Sequence, residues 1–429
     1  MENLGLLIRM ERIQQKMKQV TLAKGICTAS YLSKIEKNQT LPSDEMVSLL
    51  LKRLNVQYKS LSLTEEERLL SVLSELYKEA IQKREKDSIY QQIPNFTKKS
   101  YSFQEESNFY TFKLLLLRIL MISEEANSSL EPTLKSLEEM KDNFNIHQTF
   151  IFNINMGLYY YYERKYEKSL VYLESALMLI DRFPLEDWEK ADFYNALSLS
   201  YLMNGHILNT IEYSSKSLKI FNGSLEFARA IDCYIVISIA QKRNFQLKKA
   251  EENLILAKKL AEKFNINEKL GRIHQNLGAL YSLQKDSDKA FIHYELNIMN
   301  SSDIESYLIS IFSIIQEYSK LNKVDRKAQW CKVGIEKIKT SISINNLPYL
   351  HHFEIYSMLH IKGKETFATI KNGIIYFEKI KDYRHVHKYS LVLANLLFET
   401  GQYKAAGIYY QKSNKFLFKI KSLEFWEEL

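Results

Sequence analysis

The side chains of this sequence that could do chemistry are recognition groups rather than nucleophiles or metal ligands. The run Thr28-Ala29-Ser30-Tyr31-Leu32-Ser33-Lys34 offers hydroxyls, small side chains and an amine on what reads as a short helix. A helix with such a leading half enters the DNA major groove without clashing, and Lys34 could donate to guanine O6 and N7. A second set lies much further along the chain: Asp192, Asn195, Asp232, Arg272, Gln275, Asn276 and Asn395, all on segments with helical periodicity. Asn and Gln each offer a donor and an acceptor, which suits the backbone amides of an extended peptide. Asn195 and Asn395 are the most telling, because Asn is a poor residue for a helix interior.

Other chemistry finds no support. There is no glycine-rich phosphate loop and no nucleophile elbow. His351-His352 and the His385/His387 pair lack the i, i+4 spacing and neighbouring carboxylates of a helical zinc site. Cys27, Cys233 and Cys331 are far apart and odd in number, so neither a disulfide framework nor a CxxC metal site is expected. Cys27 reads as a small buried side chain at a turn. The expectation is therefore a protein without catalysis or cofactor.

The elements that must position these groups are helices. With 12 Gly and 5 Pro in 429 residues, turns are too few for a strand-rich fold, and 28 Tyr and 22 Phe supply large side chains for helix packing. The net charge is +8, of which the first 60 residues contribute +5, so the basic end is the one carrying the Thr28–Lys34 run. The most apolar stretch, Tyr110 to Ile122, is interrupted by Lys113 and Arg118, and nothing approaches the roughly 18 apolar residues of a membrane span. A cytosolic protein with no membrane partner is expected.

The head, residues 1–62, reads as five short helices. Leu4, Leu7, Ile8 and Ile13 form an apolar stripe on the first, Val20 to Ile26 is the second, and Thr28 caps a third running to Lys37. Pro42 and Ser43 start a fourth, and Leu49, Leu50, Leu54 and Val56 close a small core. Residues 63–105 read as a connector: a helix capped by Thr64, then a loop to Tyr101. From residue 106 to 429 the chain repeats. Small residues early in the second helix of each pair, Ser169, Thr210, Ala250, Ala290, Ala328, Ala368 and Ala406, recur in steps of 41, 40, 40, 38, 40 and 38. Such a period means stacked helical hairpins. Pro132, Pro184 and Pro348 fall near helix starts or turns, as an all-helical array requires.

Two resemblances attach to these motifs. Gln19 to Asn38, with the Leu22-Ala23 pair, buried Leu32 and Ile35 and the Ser-Lys-Ile-Glu run, resembles the lambda-repressor/Cro helix-turn-helix, with one residue fewer at the turn. That resemblance places Ala29, Ser30 and Lys34 at bases and Gln19, Tyr31, Lys37 and Asn38 at phosphates, with Thr28 and Ser33 on the same edge. Leu270 to Asn297 and the units ending at Ala176 and Tyr410 resemble the tetratricopeptide repeat, lengthened to about 40 residues. In that family the first helix of each pair lines the inner surface, where the second set of polar residues falls. Together the implied fold is all-α: a helix-turn-helix bundle and a right-handed superhelix of hairpins.

A Cro-type head followed directly by such an array resembles the Rap/NprR/PlcR/PrgX group of peptide-responsive regulators. The resemblance implies a transcriptional regulator acting on double-stranded DNA at a pseudo-palindromic operator, a short signalling peptide in the repeat groove, and a homo-oligomer, dimer or tetramer. Two alternatives belong to other classes: a regulator working mainly through a protein partner of the array, and a mobile-element repressor whose repeats serve only for dimerisation.

Overall fold

The computed structural model describes residues 4–84, 86–123, 127–301, 303–340 and 347–421. The chain forms two compact units, Met1–Asn253 and Leu254–Leu429.

The first unit begins with α1 (Leu4–Gln14), α2 (Gln19–Ala23), α3 (Ala29–Glu36) and α4 (Asp44–Arg53). Four helices, not five, make the head, and the chain then extends into strand β1 (Tyr58–Ser60). Thr28 caps α3 by accepting from the Tyr31 N–H, and Ser43 caps α4 by accepting from that of Met46. The head core is Leu7, Ile8, Leu22, Ala23, Leu32, Ile35, Val47, Leu50, Leu51 and Leu54. Leu49 is turned outward, and Leu51 takes the core position expected of it.

The connector is more structured than its composition suggested. Helix α5 (Leu63–Gln82) starts at Ser62, not Thr64: Ser62 and Glu65 bond reciprocally to each other's backbone N–H groups. Where a loop was expected lie α6 (Lys86–Gln92), α7 (Pro94–Thr97) and β2 (Ser100–Ser102). Pro94 occupies the first turn of α7, where its missing N–H costs nothing. β2 pairs in parallel with β1, Lys59 opposite Tyr101, the one sheet among the described residues. The buried Glu66 carboxylate accepts from the backbone N–H of Gln104 and from Asn108 Nδ2 at 2.9 Å, tying α5 to the start of α8 (Glu106–Ile122).

Helix α1 serves two cores. Leu7 and Ile8 face the head, whereas Leu6 and Met10, 2% and 0% exposed, belong to the body's core with Leu73, Phe109 and Leu134. Polar contacts reinforce this seam: Arg9 donates to the Glu139 carbonyl at 2.9 Å, Gln14 to Thr133 Oγ1 at 3.2 Å, and Ser100 to Glu11 at 2.9 Å.

From α8 onward helices pair. The first unit holds α8 with α9 (Asn127–Glu138), α10 (Ile146–Tyr162) with α11 (Tyr166–Leu177), α12 (Asp187–Asn204) with α13 (Ile207–Gly223), and α14 (Phe227–Arg243) with the leading half of α15 (Leu247–Lys263). The second continues with α16 (Leu270–Leu283) and α17 (Ser287–Asn300), α18 (Ile304–Lys320) and α19 (Val324–Thr340), α20 (Leu347–Met358) and α21 (Lys364–Lys379), α22 (Tyr383–Glu399) and α23 (Tyr403–Lys421). Pro184 precedes α12 and Pro348 is in the first turn of α20, but Pro132 sits inside α9. The fold class is all-α, a helix-turn-helix head joined to tetratricopeptide-like hairpins.

The period has a local cause. Left-handed residues at Gly205, Leu225, Phe245, Asn265 and Lys285 recur every 20 positions. After each, the next N–H bonds five residues back, as His206 to Tyr201 and Asp286 to Tyr281, so each helix closes with the same six-residue motif. Hydrogen bonding also corrects the repeat register. Ser169, Thr210, Ala250, Ala290 and Ala406 are buried and begin their helices in the same way, but the equivalent positions in the two remaining pairs are Lys327 and Phe367. Ala328 is half-buried and Ala368 exposed. Glycine gives close approaches on those helices: a Cβ on Gly334 would lie 2.4 Å from the Phe353 ring of the following pair, and one on Gly373 2.6 Å from Ile355 of its own pair.

Candidate nucleic-acid interface and inner-face sites

The head is built around a buried carboxylate. Glu36, 1% exposed at the end of α3, is gripped by Arg12 of α1, Nε to Oε1 at 2.6 Å and Nη2 to Oε2 at 2.9 Å. Gln19, opening α2, donates to Oε2 at 2.7 Å. One cation and one amide thus match one carboxylate, and three helices are locked together. Arg53 of α4 donates to the Leu22 and Lys24 carbonyls at 2.7 and 2.5 Å, closing the end of α2. Bidentate pairing of this kind fixes geometry as well as energy.

The opposite face of α3 is open. Thr28, Ser30, Lys34, Lys37 and Asn38 are exposed, while Ala29, Tyr31 and Ser33 are half-buried. Gln19 is half-buried, with its amide turned to Glu36. Asn38 takes the left-handed conformation, φ 54°, just after the helix, where its backbone N–H bonds to Ile35. Lys18 and Lys24 add exposed cations at the two ends of α2. Burial pushes the Cys27 thiol up from its usual range. The small and polar edge expected from the sequence is therefore displayed on a helix that is rigidly held from behind.

In the body, every second-set residue lies on the first helix of a pair, but they are not brought to one open surface. In the first unit Asp192 and Asn195 are 4% and 5% exposed. α5 packs across α8 and α12 there, with Tyr77 edge-on to Trp188 at 5.5 Å and Lys78 paired to Glu186 at 3.0 Å. Asp192 is the centre of a cation cluster that sequence reading missed. Arg118 Nη2 lies 2.7 Å from Oδ2, and Arg229 Nη2 and Arg84 Nη2 lie 2.8 and 3.2 Å from Oδ1. Burial alone would raise this carboxyl, but Arg118, Arg229 and Arg84 outweigh it and hold it well below the usual carboxylate range. Asn195 Oδ1 lies 3.8 Å from Cys233 Sγ, between α12 and α14. Asp232 is half-buried.

In the second unit Arg272 is exposed, and its carbonyl accepts from Asn276 Nδ2 at 2.9 Å. Gln275 belongs to a packing network: it donates to Ser313 at 2.9 Å and accepts from Ser310 at 2.7 Å and Asn297 at 3.3 Å. Asn395 is exposed and accepts from Tyr410 Oη at 2.8 Å, a bond within its own hairpin. His274 and His293 face each other Nδ1 to Nδ1 at 2.9 Å, and burial and the His293 neighbour push His274 down to about 4. No helix among the described residues is long and apolar enough to cross a membrane.

Comparison with known proteins bears on both regions. Residues 8–61 match the helix-turn-helix family, a stretch that takes in α2, α3 and α4 and most of α1. The chain is 29% identical over 412 residues to the transcriptional activator NprA of Geobacillus stearothermophilus, covering 92% of this chain and 98% of that one. Among solved structures it is similar to the apo form of the quorum sensor NprR from B. thuringiensis, with TM-score 0.66 and 18% identity over 82% of this chain and 99% of that one. It is also similar to NprR in complex with its cognate peptide NprX, with TM-score 0.57 and 18% identity over 80% and 98%. The structural likenesses establish the fold of the hairpin array, and the relative spans both head and array. A helix-turn-helix head and a hairpin array are thus joined in this chain, and its likeness to a transcriptional activator runs through both.

Proposed function

We propose that this chain is a cytosolic transcription factor whose head binds double-stranded DNA and whose array is switched by a short signalling peptide. The observation that carries the reading is the open edge of α3, Ser30 and Lys34 exposed on a helix whose back is locked by Arg12, Glu36 and Gln19. Ala29, Ser30 and Lys34 read bases; Tyr31, Lys37 and Asn38, with Thr28 and Ser33 beside them, approach the backbone. Gln19 acts by holding Glu36 rather than by reaching a phosphate. A relative of this chain is a transcriptional activator, and a protein of similar fold binds its cognate peptide NprX, which supports both halves of the reading.

The peptide lies along first helices. Asp232 in the first unit, and Arg272, Asn276 and Asn395 in the second, retain exposed or half-exposed surface and are the polar contacts assigned to it; Asp192, Asn195 and Gln275 are held in packing networks of their own units. The chain acts as a homo-oligomer on a pseudo-palindromic site with half-sites about 34 Å apart or a multiple of that. Peptide can shift DNA binding only by its differential affinity for two states, typically worth about 1–3 kcal/mol. Isothermal titration of candidate oligopeptides with and without operator DNA tests the coupling, since linkage is reciprocal. A peptide affinity unchanged by DNA would sink it.

A further inference from the structure

Among the described residues the Asp192 cluster is short of negative charge. Three guanidinium groups, from the end of α5, from α8 and from α14, share one carboxylate. The side chains of Arg118 and Arg229 are 2% and 3% exposed, and each keeps a buried Nε without a hydrogen-bond partner. Buried donors of that kind are costly. Asp192 Oδ1 is divided between Arg229 and Arg84, and the longer of those two contacts is the one to Arg84. Besides burial, the charges that bear most on Arg84 are those of Arg229, Asp192 and Arg118. Neither neighbouring carboxylate is paired with these guanidinium groups: Glu226 Oε1 accepts from Gln82 at 3.1 Å and Ser224 at 3.0 Å while its Oε2 is buried without a partner, and Glu189 accepts from the Glu186 N–H at 3.2 Å and faces His147 at 3.7 Å.

Arg84 is the way in. Its side chain is 40% exposed, whereas Arg118, Arg229 and Asp192 are sealed. A planar guanidinium held through one Nη has N–H donors left for a second planar oxyanion. We infer that the open side of this cluster, at Arg84, is a subsite for a carboxylate of the bound oligopeptide, an extension that rests on the peptide reading above. A ligand carboxylate that takes over Arg84 leaves Asp192 Oδ1 to Arg229 alone and corrects the charge shortage. Arg84 directly follows α5, the helix laid across α8 and α12, so the ligand group would also bear on the segment joining the head to the array.

Four heptapeptide pools test this. They differ in having or lacking Asp and Glu, and in a free or amidated C-terminus. Each is passed over the full-length protein and captured peptides are counted by mass spectrometry. The pool without acids and with an amidated end should be captured at least about ten-fold less, as the loss of a charge-assisted pair implies. Whichever single feature restores capture identifies the source of the carboxylate. Arg84→Met should abolish the preference without lowering capture of the acid-free amidated pool. Equal capture of all four pools, or an undiminished preference in Arg84→Met, overturns the subsite. If no pool is captured the peptide reading fails, and acetate then decides the subsite on its own. Replacing chloride by acetate at constant ionic strength should raise the melting temperature of wild type more than that of Arg84→Met. Identical responses would remove the site as well.

Discussion

Two buried carboxylates sit in the same compact unit and do different work. Glu36 meets one guanidinium and one amide, and its charge is answered in full. Asp192 meets three guanidinium groups and cannot answer them all. A balanced centre is a lock: it holds α1, α2 and α3 so that an outer face can be read. An unbalanced centre is packed just as tightly but stays receptive, because it still gains from another anion. Burial alone does not separate structure from function; the arithmetic of charge around the buried group does.

The contrast can be broken by experiment. Asp192→Asn leaves two sealed arginines without their counter-ion and should cost about 3–5 kcal/mol in denaturant unfolding. It should also flatten the acid side of the stability curve. A depressed carboxyl contributes stability above its unfolded value near 4, lost as pH falls through the lower folded value. If Glu36→Gln, which keeps a hydrogen-bonding amide against Arg12, costs as much, the distinction between the centres fails; about 1.5–3 kcal/mol is expected. Lys34→Ala should weaken specific DNA binding by about 1–3 kcal/mol in a filter or anisotropy titration, with peptide binding and melting temperature unchanged. The second unit offers a neutral counterpart. His274 is held near 4 and titrates near 6.5 when unfolded, so its contribution to stability should fall as pH drops from 6.5 towards 4, by at most about 1.4 kcal/mol per pH unit, beside those of His293 and His352, which burial also holds down. His274→Gln should make the slope shallower by its share, and an unchanged slope would place the titration at the other buried histidines.

The head was legible because each of its signals is local. Thr28 and Ser43 cap the helices they precede, and the polar edge of α3 follows from a single helical turn. The 40-residue period was legible too, yet its register slipped at Lys327 and Phe367, because alanine marks close packing only where glycine elsewhere on the helix does not take over. The Asp192 centre was half visible. Arg118 stood out in the most apolar stretch of the chain, where it argued only against a membrane span. Its partners come from positions 84, 192 and 229, and sequence spacing gives no hint that those three meet. Asn195 and Asn395 were correctly placed on first helices, but the direction each faces depends on Cys233 and Tyr410, side chains on neighbouring elements.

The double allegiance of α1 limits how any signal can reach DNA. Detaching the head would return Leu6 and Met10 to water, at about 1.5–3 kcal/mol for each side chain. That exceeds the roughly 1–3 kcal/mol a typical effector supplies. A head made without α8 and α9 would therefore be a sticky fragment, and in the whole chain α3 travels as cargo on the first hairpin rather than swinging free on a tether.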